Sequence, residues 1–254
     1  MNATVLEAHG LRKRFGGVEA LAGMSFTIER GEVVALIGPN GAGKTTCFNV
    51  IGGQLAPDDG QVLFGSRRID GLAPHAIAHL GMARTFQVAA TFASMTVRDN
   101  VAVALLARER ADVSLRWSRY DDAVRAADTV LAKAGLEALA ATHAASLAYG
   151  EVKRVELALA LATAPSLLLM DEPTAGMAPD SRAALMRHAL EAARRHDIAV
   201  VFTEHDMDVV FGFARRVIVM DYGRVIADGT PAAIRRDPEV QRVYLGSDSG
   251  GATP

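Results

Sequence analysis

Apolar and polar positions along the chain change period twice. Residues 5–8 and 24–29 are short strand-like runs on either side of the turn Phe15-Gly16-Gly17, a pattern that predicts an antiparallel hairpin layer. Val33-Val34-Ala35-Leu36-Ile37 is apolar without alternation and reads as a buried strand, and Cys47-Phe48-Asn49-Val50-Ile51 reads as the start of a buried helix. After the turn Ala56-Pro57-Asp58-Asp59-Gly60, residues 61–64 and 67–69 read as two short strands, and residues 81–87 as a strand ending on the polar Gln87. From Met95 to Ala162 strand signals vanish, and helical periodicity governs residues 97–107, 120–134 and 152–162. The strand pattern returns at 167–172, followed by an amphipathic helix over 179–195, a strand over 198–203 and a hairpin of 217–220 with 224–227 around Asp221-Tyr222-Gly223. Short helices are expected near 231–236 and 238–245.

The switch from strand to helical period and back marks a helical insertion in an α/β core. The expected organisation is therefore a core built from residues 1–90 and 163–246, carrying the antiparallel β layer, and a helical subdomain over 91–162 whose apolar seam Trp117 and Tyr120 cover. Residues 247–254 are small and polar and read as a disordered tail.

Between the strand at 33–37 and the helix after it stands Gly38-Pro39-Asn40-Gly41-Ala42-Gly43-Lys44-Thr45-Thr46. Backbone N–H groups can wrap a phosphate chain only where no Cβ intrudes and positive φ is allowed, and Gly38, Gly41 and Gly43 meet that need. The first amides of the following helix lack intrahelical partners and attract an anion. Lys44 is placed to reach the β and γ phosphates of a nucleotide, and the Thr45 hydroxyl to hold Mg²⁺. Composition gives about 0.003 random matches to this spacing, so a glycine turn that merely packs a helix on a sheet is a poor explanation.

Other polar residues gather at strand ends, which in a parallel sheet line the ligand crevice. Asp171 and Glu172 end one apolar run, and neighbouring strand side chains point opposite ways, so Asp171 is read as an Mg²⁺ holder and Glu172 as the base for the attacking water. Gln87 is placed to touch Mg²⁺ or that water, and His205 to contact the γ phosphate. Phe15 is a candidate plate for stacking on a base.

Composition excludes more than it adds. A net charge of −2, from 27 basic and 29 acidic residues, provides no overall field for nucleic acid or an anionic membrane, so a membrane link is expected through a protein partner. The single cysteine, Cys47, excludes an internal disulfide and reads as a small buried side chain. Without a signal-like start or a run of 18 apolar residues, a cytoplasmic, peripheral protein is expected.

In this order, the motifs resemble the ATP-binding subunit of ABC transporters over residues 5–246, and the resemblance implies a P-loop NTPase (RecA-like) core. Residues 38–45 look like that family's Walker A, 167–171 with Glu172 its Walker B and catalytic glutamate, Gln87 its Q-loop, His205 its switch histidine and 175–180 its D-loop. Leu147-Ala148-Tyr149-Gly150-Glu151 stands at the signature position but departs from the usual Leu-Ser-Gly-Gly-Gln: Ala148 has no hydroxyl and Tyr149 replaces a glycine. In the family the signature of one subunit closes over ATP held by another, so Leu147 to Glu151 are candidates for nucleotide contact across that interface. Leu-Ala-Tyr-Gly, Arg84-Thr85-Phe86-Gln87, Ala175-Gly176-Met177-Ala178-Pro179 and Val243-Tyr244-Leu245-Gly246 look like the subfamily serving branched-chain amino acid importers. That resemblance implies ATP and Mg²⁺ as ligands, membrane permeases and a second ATPase subunit as partners, and indirectly an extracytoplasmic solute-binding protein. The lipopolysaccharide-export ATPase and soluble ABC ATPases acting on DNA or ribosomes are the competing readings.

Overall fold

The computed structural model describes residues 3–85, 91–108 and 117–248, with the side chains of 117–119 and 245–248 excepted. Gln87 and the side chain of Trp117 therefore lie outside the described residues. The chain opens with β1 (Thr4–Phe15) and β2 (Val18–Glu29), which pair antiparallel. These strands are longer than the short pieces expected because the ladder shifts register between Ala8 and Leu11 and again before Arg12, breaking the period of two that marks a strand in sequence.

Next come β3 (Val33–Ile37), α1 (Lys44–Ile51), β4 (Asp59–Phe64), β5 (Arg67–Arg68), α2 (Pro74–His79) and β6 (Met82–Thr85). The helical segment holds α3 (Val97–Arg108), α4 (Trp117–Ala134) and α5 (Tyr149–Ala162). The core resumes with β7 (Leu167–Asp171), α6 (Pro179–Arg195), β8 (Ala199–Thr203), α7 (Met207–Phe213), β9 (Arg216–Asp221), β10 (Arg224–Gly229), α8 (Pro231–Ile234) and α9 (Pro238–Asp248). Sequence reading misses α2 and α7, since six and seven residues hold too few turns to reveal a 3.6 period. The helix α9 also carries the backbone through Asp248, so residues 247–248 are helical rather than part of a tail, and residues 249–254 lie outside the described residues.

Two sheets result, ordered β2-β1-β4-β5 and β10-β9-β3-β8-β7-β6. In the larger one, β3 pairs in parallel with β8 and β9, and β7 pairs in parallel with β6 and β8. The unbroken apolar runs follow from burial on both faces. Val34 and Leu36 of β3 join a core with α1 and the antiparallel sheet, whereas Val33, Ala35 and Ile37 join a second core with α6 and α7. A third cluster, including Val101, Ala127, Leu131 and Val155, holds α3, α4 and α5 together. Among the described residues no helix is long and apolar enough to cross a membrane. Four of the parallel strands, β3, β6, β7 and β8, end at Ile37, Thr85, Asp171 and Thr203, and the polar constellation stands at those ends.

Candidate functional site

The phosphate loop is shaped by its glycines. Gly43 is the N-cap of α1 at φ 102°, and a Cβ there would lie 2.3 Å from the Ala20 carbonyl oxygen of the hairpin, so only glycine lets helix and hairpin approach this closely. At Gly41, φ +83°, nothing stands within 4 Å of an added Cβ, so the loop is open on that side. No side chain caps α1 and its first turn holds no acid, which leaves an uncompensated positive helix end. Lys44 is buried beside it and donates from Nζ to the carbonyl oxygens of Gly38 at 2.6 Å and Pro39 at 3.1 Å. Burial pulls the Lys44 ammonium below its ordinary pKa, opposed by the charges of Glu172 and Asp171. An open loop, an uncapped helix end and a desolvated cation together fit a polyphosphate, and Thr45 is exposed at the same helix start. Phe15 ends β1 half exposed, on the hairpin that carries Ala20.

Asp171 and Glu172 share Thr203 of the neighbouring strand: its Oγ1 donates to Asp171 Oδ1 at 2.8 Å and accepts from the Glu172 N–H at 3.0 Å. Asp171 is buried, and its Oδ2 accepts from Arg84 Nη2 at 3.0 Å. The other arm of Arg84 donates to Asn49 Oδ1 at 2.9 Å and Gln54 Oε1 at 3.0 Å, so one guanidinium joins the metal-candidate carboxylate to the far end of α1. Glu172 sits at φ 45°, in the left-handed region unfavourable for a side-chain residue, and that strain turns it out of the strand. Its Oε1 lies 2.9 Å from Nε2 of the half-exposed His205, and a protonated Nε2 makes His205 the donor. Thus Asp171, Glu172 and His205 stand together at the strand ends, with Lys44 near enough to feel both carboxylate charges.

Three supports of this crevice escape sequence reading. Glu204 is buried and accepts from the Thr174 N–H at 2.9 Å and hydroxyl at 2.6 Å, tying the turn after Glu172 to the end of β8. Asp206 caps α7 through the Asp208 and Val209 amides and accepts from Arg182 Nη1 at 2.6 Å. Burial opposes ionisation of Asp206, but Arg182 and these amides outweigh it and hold the carboxyl below its usual range. Arg84 had one legible signal, a cation inside the strand Met82-Ala83-Arg84-Thr85, which requires a buried partner. Cys47 is fully buried and its thiol is pushed up to about 12 by burial, consistent with its packing role.

The signature stretch is organised differently. Ala148 is the N-cap of α5, and its N–H donates to Glu151 Oε2 at 2.9 Å, so the carboxylate of the first turn already occupies this helix end. The Tyr149 hydroxyl donates to the Ala175 carbonyl oxygen at 3.1 Å, and Met177 Cε is 3.7 Å from an added Cβ on Gly150. Leu147 packs against the helical cluster. Within the chain, Tyr149 and Gly150 turn to residues 175–177.

Comparison with known proteins places this geometry in a lineage. Residues 21–175 match the family described as ABC transporter, and residues 224–249 match a region described as branched-chain amino acid ATP-binding cassette transporter. The chain is 37% identical to the high-affinity branched-chain amino acid transport ATP-binding protein LivG of Escherichia coli (strain K12), covering 97% of this chain and 99% of that protein. Identity to the corresponding protein BraF of Pseudomonas aeruginosa is also 37%, with the same coverage. Among solved structures, the ADP conformation of MJ1267, an ATP-binding cassette of an ABC transporter, superposes with a TM-score of 0.84 at 33% identity, over 96% of this chain and 99% of that one. The dimeric post-hydrolysis cassette MJ0796, bound to ADP and Pi, gives a TM-score of 0.77 at 25% identity over 89% and 98%. With motif, topology and family match in agreement, the chain belongs to the ATP-binding cassette family of ABC transporters.

Proposed function

We propose that this chain is the ATP-hydrolysing subunit of an ABC importer for branched-chain amino acids or a similar small polar solute, working on the inner face of the membrane beneath permease subunits. The pairing of Glu172 with His205 at 2.9 Å, next to Asp171 and with the Glu172 charge acting on Lys44, carries the reading. The loop amides of residues 38–46, the α1 end and Lys44 bind and orient the triphosphate, and Phe15 supports the base. Lys44 exchanges its two carbonyl partners for phosphate oxygens, which restores a counter-charge to a desolvated ammonium. Thr45 and Asp171, with Gln87, are the residues to hold Mg²⁺, which when bound neutralises charge on the β and γ phosphates. Glu172 orients the attacking water and accepts its proton at Oε1, and His205 fixes that carboxylate and contacts the γ phosphate.

Residues 91–162 serve as the signature subdomain, and residues 147–151 close over nucleotide held by a second ATPase subunit. An extracytoplasmic solute-binding protein supplies the solute to the permeases. Resemblance of residues 224–249 to the branched-chain cassette region favours this reading over lipopolysaccharide export, and the net charge of −2 supports no nucleic-acid partner.

The test is steady-state hydrolysis by the chain with its co-purified permeases. Glu172→Gln is expected to lower kcat at least about 100-fold while ATP still binds. Undiminished turnover in Glu172→Gln would remove the base from Glu172, and failure of the unmodified complex to hydrolyse ATP would overturn the reading.

A further inference from the structure

Tyr149 stands where the usual signature has a glycine, and its surroundings give it a purpose within its own chain. Its hydroxyl donates to the Ala175 carbonyl oxygen at 3.1 Å. Its ring lies over Gly176, where an added Cβ would be 3.6 Å from Cε1, and Gly176 adopts φ +75°, a conformation open to glycine. Lys153, one turn along α5, has its Nζ 5.9 Å from the centre of the same ring and is itself paired with Glu156 at 3.1 Å, both buried. Ring, hydroxyl and the Gly150–Met177 approach thus all meet the short segment 175–177.

That segment is held on its other side. Arg182 Nε donates to the Met177 carbonyl oxygen at 2.6 Å while Nη1 donates to Asp206 Oδ2 at 2.6 Å. Asp206 follows His205 directly, and His205 reaches Glu172 at 2.9 Å. Hydrogen bonds linked by the backbone of residues 175–177 and by the Asp206–His205 peptide therefore form a path from the start of α5 to the carboxylate at the end of β7.

We propose that Tyr149 is a positioning residue that fastens the signature helix to the 175–177 segment of its own subunit, so that movement of α5 reaches His205 and Glu172 through Arg182 and Asp206. The inference rests on the function proposed above for its link to turnover, whereas the fastening itself does not. It explains why the hydroxyl of Tyr149 is engaged in its own chain, and it gives the glycine-to-tyrosine departure a mechanical role. Contact between the ring and Gly176, together with the Tyr149 hydroxyl on the Ala175 carbonyl oxygen, is what would pass a shift of the helix to the 175–177 segment.

Two readouts test it on the full-length chain. In Tyr149→Phe, which keeps the ring on Gly176, hydrogen–deuterium exchange across residues 174–178 is expected to rise about fivefold while exchange in the phosphate loop stays as in the unmodified chain. Should that variant fail to fold, Gly176→Asn, which tolerates positive φ but crowds the ring, is expected to raise exchange in the same segment. Unchanged exchange in the folded variant would overturn the fastening. In the complex with permeases, Tyr149→Phe is expected to lower kcat about threefold to tenfold with the ATP dissociation constant within twofold, the loss set by one hydrogen bond. Arg182→Gln is expected to lower kcat similarly, and the double variant no further than the worse single one, because both break one set of bonds. Losses that multiply, or a loss confined to ATP affinity, would overturn the transmission. If the unmodified complex does not hydrolyse ATP, the proposed function fails, and the exchange result still decides the fastening.

Discussion

Two helices of this chain begin at opposite extremes. The start of α1 has a left-handed glycine as N-cap, no side-chain cap and no acid in its first turn. The start of α5 has Glu151 in its first turn, with the carboxylate on the Ala148 N–H. One helix end is left positive and open beside a buried lysine, and the other has its charge answered from within. The contrast teaches that these two walls of the proposed shared site are unequal. The phosphate loop supplies charge and free donors, whereas the signature wall supplies shape and a mechanical tie to Ala175.

The sharpest way to break this contrast is to disable α1. Lys44→Ala removes the desolvated cation, and nucleotide affinity measured by equilibrium fluorescence with a labelled ATP is expected to fall at least about 100-fold, since charge-assisted phosphate contacts are strong. Gly43→Ala forces a Cβ to 2.3 Å from the Ala20 carbonyl oxygen at φ 102°, and a loss of stability of about 2–4 kcal/mol in urea unfolding is expected. Arg84→Leu leaves Asp171 buried without its guanidinium partner, and the same unfolding measurement is expected to show a cost of about 3–5 kcal/mol. A cost below about 1 kcal/mol would show that the pair is dispensable to the fold.

At α5 the expected effects are smaller. Ala148→Ser restores an N-cap hydroxyl, which should stabilise the helix by about 1 kcal/mol in the same unfolding assay and raise the hydrolysis rate by supplying the donor that the usual signature carries. A rate unchanged by Ala148→Ser would show that the missing hydroxyl does not limit turnover. Cys47 should show no reaction with a thiol reagent at pH 8 in the folded chain, because its pKa of about 12 leaves almost no thiolate and the side chain is fully buried.

Legibility in the sequence followed the range of the interactions. The loop at 38–46 was readable because its glycines, lysine and threonine are consecutive and follow an apolar strand. Asp171, Glu172 and His205 were readable because strand ends of a parallel sheet converge, so position along each apolar run sufficed. Arg84 with Asp171, Arg182 with Asp206 and Thr203 between two carboxylates were not, since each pairing joins residues far apart in the chain through side chains of unremarkable type. The fold class was evident from the change of period, but bulges hid the length of β1 and β2, and short length hid α2 and α7.

In the proposed mechanism, water activated by Glu172 beside His205 cleaves the β–γ anhydride of ATP held at α1. The most direct test of this mechanism is the chemical identity of nucleotide recovered from Glu172→Gln after incubation with ATP and Mg²⁺ beside its permeases. Recovery of intact ATP is expected, against ADP from the unmodified complex. Recovery of ADP at the unmodified rate would contradict the account.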